Sequence, residues 1–356
     1  MVPGNAWGRW LQPHESTTFA DAEFSSLVNR RIDYDTVIVH TAPDYFTRWR
    51  EREQAKRRIG MTVWELDRLP AHWNDWLDPM DAIIVPCRWN RDVFSAAGIK
   101  SPIAVIPHLL EPLRAAPPLQ LPGLHADDFV FYTIAAWRER NAPHLTLASY
   151  LAEFSAADKT VLIVKTSTKN ERRRNDGFWR HRVLRHFKTV SREAALIRKA
   201  SASTARVAFV TDTWSDARIA ALHARGDCYV SLTRTEGWGL GAYEAAQAAK
   251  PIIMTGHGGQ LDFLPAELSY HVDHHLVPFQ ELANPNIQFD VQGAQWAEPD
   301  LASAGRLMRQ VFNHREEARE RGNRLQHHLH ENFNNQTLIQ NMLQFINALP
   351  RPDASQ

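Results

Sequence analysis

The sequence is poor in cysteine, lacks long apolar runs and carries almost no net charge, and each shortage excludes something. Two cysteines in 356 residues, Cys87 and Cys228, cannot staple a chain of this length. Each sits at an edge of an apolar, strand-like run, so both read as small core hydrophobes rather than a disulfide or a metal pair. No apolar run approaches the ~18 residues needed to span a bilayer. The opening MVPGNAWGRW has neither the apolar core nor the cleavage pattern of a secretory signal, and the expectation is a cytoplasmic protein. No histidines or cysteines fall at metal-ligand spacing; His327, His328 and His330 share a surface-type helix. A lysine-bearing phosphate loop and a serine-hydrolase elbow are also missing. The formal net charge is +1, yet residues 165–199 hold twelve Lys and Arg against three acidic residues, so the rest of the chain is acidic. A basic block of this kind is either a surface for anions or a solvated helix face.

What is present is length and alternation. The chain is long enough for two domains, each with its own core. Strand-like runs at 36–40, 61–65, 82–86 and 103–106 alternate with helical stretches, the clearest at 45–58 and 89–97, which predicts a parallel sheet in an α/β domain. Pro112, Pro117, Pro118 and Pro122 then make a stiff connector. We expect a first domain over 1–115, a second over 116–332, and a C-terminal helix and tail over 333–356. Strands are predicted at 129–135, 160–165, 207–211, 228–232 and 252–255, and helices at 216–224, 241–249, 301–312, 316–332 and 336–349.

The stretch 227–265 organises the second half. A buried strand leads into a loop at 233–240, whose Gly237 and Gly239 let backbone N–H groups approach a ligand. The following helix points its positive N-terminus into the same space, which suits an anion. Glu236 and Glu244 frame the loop with seven residues between them. Carboxylates at an anion site are suited to accepting hydrogen bonds from hydroxyls. A ligand with an anionic middle and hydroxyls on either side is a sugar nucleotide. The spacing of Gly237, Gly239 and Gly241 also suggests a dinucleotide fingerprint, but the next strand ends in Gly256 where an acidic residue is needed.

In the setting SLTRTEGWGLGAYEAAQAAKPIIMTGHGGQLDFL, the pair Glu236 and Glu244 resembles the nucleotide-sugar motif of retaining GT-B glycosyltransferases of family 4. The resemblance covers roughly residues 36–349. It implies two Rossmann-like doubly wound parallel-sheet domains facing a cleft, the first shortened at its N-terminus, where only a stub at Gly4 to Gly8 stands for the usual opening. It implies that Glu236 contacts donor-sugar hydroxyls, that Gly237, Trp238, Gly239 and Leu240 contact sugar and diphosphate, and that Glu244 holds the ribose. The turn after strand 129–135 resembles the family's basic turn, with Arg138 or Arg140 gripping the diphosphate and Asn141 where a lysine is usual. Lys165, at the carboxyl end of its strand, is placed to add a second positive charge. Thr211 and Asp212 are placed to contact the base, and His40 and Glu65 to face the acceptor. The alternative for Lys165 is a strand cap, and for His40 a structural role.

These readings converge on retaining transfer of a hexose-type sugar from a nucleoside diphosphate to a glycan or lipid-linked acceptor, with no metal or other cofactor, in cell-surface polysaccharide or lipopolysaccharide synthesis. The alternatives are a GT-B protein that binds a sugar nucleotide or glycan without transfer, and a nucleotide-sugar epimerase. The basic block suggests peripheral contact with an anionic inner membrane face. Nucleic acid is not expected, because the block offers only Phe178, Trp179 and Phe187 to stack on bases.

Overall fold

A computed structural model describes residues 33–53, 56–110, 116–168, 190–279 and 291–350. The stub at Gly4 to Gly8 and most of the basic block, Arg172, Arg173 and Arg174 included, lie outside the described residues. Strands β1 (Thr36–His40), β2 (Arg57–Met61), β3 (Ala82–Val85) and β4 (Ile103–Val105) form a parallel sheet in the order β1-β2-β3-β4. Helices α1 (Phe46–Arg52), α2 (Asn74–Leu77) and α3 (Arg88–Ala96) lie between them. Side chains of β3 alternate between two cores. Ile83 and Val85 pack with Phe46, Trp64 and Phe94, while Ala82 and Ile84 pack with Ile59, Ile106, Ile346 and Leu349.

The second sheet contains β5 (Phe129–Ile134), β6 (Thr160–Lys165), β7 (Arg206–Val210), β8 (Cys228–Ser231), β9 (Ile252–Thr255) and β10 (Tyr270–Val272). All its pairings are parallel, in the order β10-β9-β8-β5-β6-β7. FVFYTI of β5 and TVLIVK of β6 are continuous apolar runs, as expected of strands buried on both faces. Helices α4 (Pro143–Glu153), α5 (Val190–Ser201), α6 (Asp216–Arg225) and α7 (Leu240–Gln247) belong to this unit. A two-stranded antiparallel ribbon follows, of β11 (His274–Pro278) and β12 (Gln295–Pro299), then α8 (Leu301–Asn313), α9 (Arg315–Asn332) and α10 (Asn335–Ala348). Phe129 and Phe131 pack into one face with Tyr150, Phe154 and Met308; Val130 and Tyr132 pack into the other with Tyr229, Leu325 and Leu329. Each large apolar side chain buried in this way contributes about 1.5–3 kcal/mol relative to an exposed position.

Helix α10 crosses back to the first sheet. Ile346 joins the core against Ile59, and Arg57 Nη1 donates to the carbonyls of Ile346 (2.8 Å) and Leu349 (3.0 Å). This explains the largest departure from the sequence reading, which puts a helix over 45–58 and a strand over 61–65. The helix stops at Arg52 and β2 begins at Arg57, because the buried guanidinium satisfies the free carbonyls at the end of α10 rather than lying in solvent. Residues 62–66 consequently leave the sheet and carry Glu65 toward the second unit.

Candidate functional site

Strand order reverses between β5 and β8: the chain runs outward through β6 and β7, then returns to the other side of β5. In an open parallel sheet such a reversal parts the loops at the carboxyl ends of the two strands and leaves a crevice. Here those loops are 135–142 and 232–239. They are tied together, with Arg234 N and Thr233 Oγ1 both donating to the Arg140 carbonyl at 2.8 and 3.1 Å. The first turns through Ala142, buried and left-handed at φ 44°, immediately before Pro143 opens α4. A non-glycine residue in that region stores backbone strain, and this one lies two residues after Arg140 in the same turn.

Arg140 is the centre of the site. Its Nε lies 2.9 Å from Glu65 Oε2 and its Nη1 3.3 Å from Glu236 Oε2. Nη1 also donates to the Thr235 carbonyl at 3.2 Å. The other oxygen of Glu236 accepts from Asn141 Nδ2 at 3.2 Å and from Thr233 Oγ1 at 3.3 Å. Glu65 comes from the first unit, Arg140 and Glu236 from the second, so the cluster spans both. Thr235 Oγ1 donates to the Glu65 carbonyl, and the Cys87 thiol donates to the Gly237 carbonyl at 3.0 Å. Burial pushes that thiol up to about 12, which keeps it a hydrogen-bond donor and not a nucleophile. Cys87 also caps α3 by accepting from Asn90 N. A Cβ at Gly237 would lie 2.2 Å from Val63 Cγ2 and 2.7 Å from the Trp64 carbonyl, so only glycine lets the two units approach this closely.

The glycine loop continues through Gly239, left-handed at φ 88° and the N-cap of α7. Leu240 is exposed beside it, and Glu244, one turn on, is exposed too. The Trp238 ring turns inward, 2% exposed and packed against Tyr243 and Phe263, because its large apolar surface is more stable beneath the loop than in the crevice. Trp238 thus supports the loop from beneath through its ring. Lys165 closes β6, and its Nζ donates to the Thr166 carbonyl at 3.1 Å and lies 5.8 Å from the Trp214 ring centre. Burial lowers its pKa, while Asp212 pulls the other way. Thr211 and the exposed Asp212 follow β7 beside it. Arg138 sits half-buried at the start of the 138–142 turn. His40 is exposed at the carboxyl end of β1 and near enough to His108 to help burial lower that ring's pKa.

Buried polar atoms without a protein partner gather at the same edge. Among the described residues they include Asn141 Oδ1, Thr166 Oγ1, Trp214 Nε1, Trp238 Nε1, Thr255 Oγ1, His257 Nε2 and Gln260 Oε1, all in or beside the segments that follow β5 to β9. Folded proteins rarely leave such groups unsatisfied. No group of three or more His, Cys, Asp or Glu among the described residues is arranged to hold a metal ion.

Residues 182–342 match the model of a family described as Family 4 Glycosyltransferase in conflict systems. Solved structures match over most of the chain. The sucrose-phosphate synthase of Thermosynechococcus elongatus superposes with TM-score 0.63 at 16% identity, over 92% of this chain and 75% of its own. Anabaena HepE, solved with UDP and glucose, gives 0.62 at 12%, over 89% and 78%. A point mutant of S. aureus TarM, solved with fondaparinux, alpha-GlcNAc-glycerol and UDP, gives 0.59 at 13%, over 87% of this chain but only 55% of its own. The chain has the GT-B glycosyltransferase fold. No curated protein matches the sequence. In this GT-B chain the loops at the strand-order reversal bring together Arg140, Glu236, Glu65 and the glycine loop, while Lys165, Thr211 and Asp212 lie two and three strands along the same edge from β8.

The sequence reading missed Asn141 as a partner of Glu236, Thr233 and Thr235 as loop anchors, and Cys87 as a contact to the glycine loop. A signal existed only for Cys87, placed between a buried strand and a helix where a cap belongs.

Proposed function

We propose that the protein is a retaining glycosyltransferase that moves a sugar from a nucleoside diphosphate to a glycan or lipid-linked acceptor. The observation that carries this reading is the Arg140 guanidinium set between Glu236 and Glu65 at the crevice, beside the N-terminus of α7. A diphosphate entering there meets a planar fork of donors, free N–H groups of a helix end, and Lys165. Glu236 and Glu244 flank that position with acceptors for the hydroxyls of sugar and ribose. Transfer through an oxocarbenium-like state loads negative charge on the departing diphosphate, where preorganised positive groups lower the barrier most. Arg140 and Lys165 serve the leaving group, Glu236 orients the sugar, and Glu65, in contact with Arg140, faces the acceptor. No metal is required by this scheme.

Incubation with labelled UDP-, GDP- and ADP-sugars, selected by thermal shift because only a ligand of the folded state raises Tm, is expected to yield a labelled product with retained anomeric configuration. Hydrolysis or epimerisation without acceptor-dependent transfer would contradict it. One observation favours the second reading, binding without transfer: Arg140 already has two carboxylates around it, and Asn141 adds no charge.

The basic block suits an anionic, lipid-linked acceptor, since each Lys or Arg near a charged membrane face adds about 1 kcal/mol of attraction. Salt-sensitive binding to anionic vesicles, lost when Arg172, Arg173 and Arg174 become Ser with donor affinity unchanged, is the expected result. No helix among the described residues is long and apolar enough to cross a membrane.

A further inference from the structure

A chain of polar contacts runs from the core of the second sheet to its crevice without touching Arg140 or Glu236. The Tyr132 hydroxyl, on β5, lies 2.9 Å from His223 Nδ1 on α6. His223 Nε2 lies 3.3 Å from Glu244 Oε2 on α7. Exposure rises along the chain: Tyr132 is fully buried, the His223 side chain is 7% exposed and that of Glu244 47%. Gly226 makes the room, since a Cβ there would lie 2.3 Å from Tyr132 Cδ1 and Cε1.

The chemistry of the ends sets the direction of the bonds. A carboxylate only accepts, so Nε2 carries the proton facing Glu244. In the neutral ring Nδ1 then accepts, and its donor is the phenol. Burial raises the pKa of the Tyr132 hydroxyl, so it keeps its proton to donate to Nδ1. The ring orientation of His223 is therefore held from the core by Tyr132.

We propose that His223 is a positioning residue for the nucleotide ribose: held by Tyr132, it binds one oxygen of Glu244 and leaves the other to accept the ribose hydroxyls. This rests on reading Glu244 as the ribose carboxylate. A long glutamate side chain at a half-exposed site has several rotamers open to it, and fixing one removes the ordering cost from ligand binding. A single imidazole N–H does this at one oxygen, whereas an arginine fork would engage both.

The test uses the full chain and the nucleoside diphosphate chosen by thermal shift, with its 2′,3′-dideoxy counterpart. His223→Ala is expected to weaken the ribonucleotide about tenfold and to raise donor KM by a similar factor with little change in kcat, while leaving the dideoxy ligand unaffected. His223→Gln is expected to restore most of the loss, because its amide accepts from Tyr132 and donates to Glu244 at once. If His223→Ala binds the ribonucleotide as the parent does, or loses both ligands equally, the positioning role is overturned. If the parent itself binds ribo and dideoxy forms alike, the failure lies in the ribose reading of Glu244, and this inference falls with it.

Discussion

The four-stranded and six-stranded sheets are both parallel, yet they differ in one topological respect. The first runs β1-β2-β3-β4 with no reversal among the described residues, and each crossover steps the same way; the second reverses between β5 and β8. A sheet without reversal has no place where two neighbouring loops must part, and hence no crevice of its own. Its part in the site is instead a single loop, 62–66, and a helix cap, Cys87, pressed against the glycine loop of its neighbour. The candidate site residues gather where topology opens the backbone, and the other unit contributes by contact.

Glu236→Gln keeps the shape of the site but removes the charge proposed to face the sugar. It is expected to lower kcat by about 10²–10³, the scale for one preorganised group, with affinity for the nucleoside diphosphate nearly unchanged. Parental turnover on the correct donor would remove Glu236 from the sugar.

A smaller effect is expected where the two units touch. Gly237→Ala drives a Cβ into Val63 and the Trp64 carbonyl, and one of these contacts is backbone that cannot rotate away. Overpacking of this kind costs about 1–3 kcal/mol, readable in denaturant midpoints. Gly98→Ala is the informative control: a Cβ there meets nothing within 4 Å, although its φ of 82° adds local strain. Equal stability of Gly237→Ala and the parent would mean that the units do not close on each other in solution.

The smallest effect is a pH dependence. Burial lowers the pKa of Lys165 below the ordinary lysine value, and a bound diphosphate favours its charged form. Binding is therefore linked to proton uptake once the free lysine starts to titrate: affinity is complete at lower pH and declines as pH rises through the depressed pKa. Lys165→Arg is expected to abolish the decline, since a guanidinium stays charged. A decline that survives this substitution would assign it to another group.

Much of this was legible in the sequence where local pattern and final structure agree. The strands at 36–40, 160–165 and 252–255 and the glycine loop with its two carboxylates are each determined by residues within one element. What escaped depends on partners far along the chain. Arg57 looks like the end of an amphipathic helix until the carbonyls at Ile346 and Leu349 are brought to it, 289 and 292 residues away. The ring of Trp238 is drawn beneath the loop by Phe263 and Tyr243, which nothing within the loop itself signals. Asn141 looks like a lost positive charge, but its amide donates to Glu236, a role that neither propensity nor spacing signals.

The central claim is that a nucleoside-diphosphate sugar binds at the strand-order reversal of the second sheet, against the loop lent by the first. Amide hydrogen exchange with and without the donor sugar tests it directly, because slowed exchange marks the backbone that the ligand covers or orders. Protection is expected to concentrate in 135–142 and 232–244, with weaker protection at 62–66 and none at the opposite, amino-terminal edge around Asp127, Arg225 and Lys250, where a cavity of about 380 Å³ also exists. Protection confined to that edge, with the two crevice loops unchanged, would contradict it.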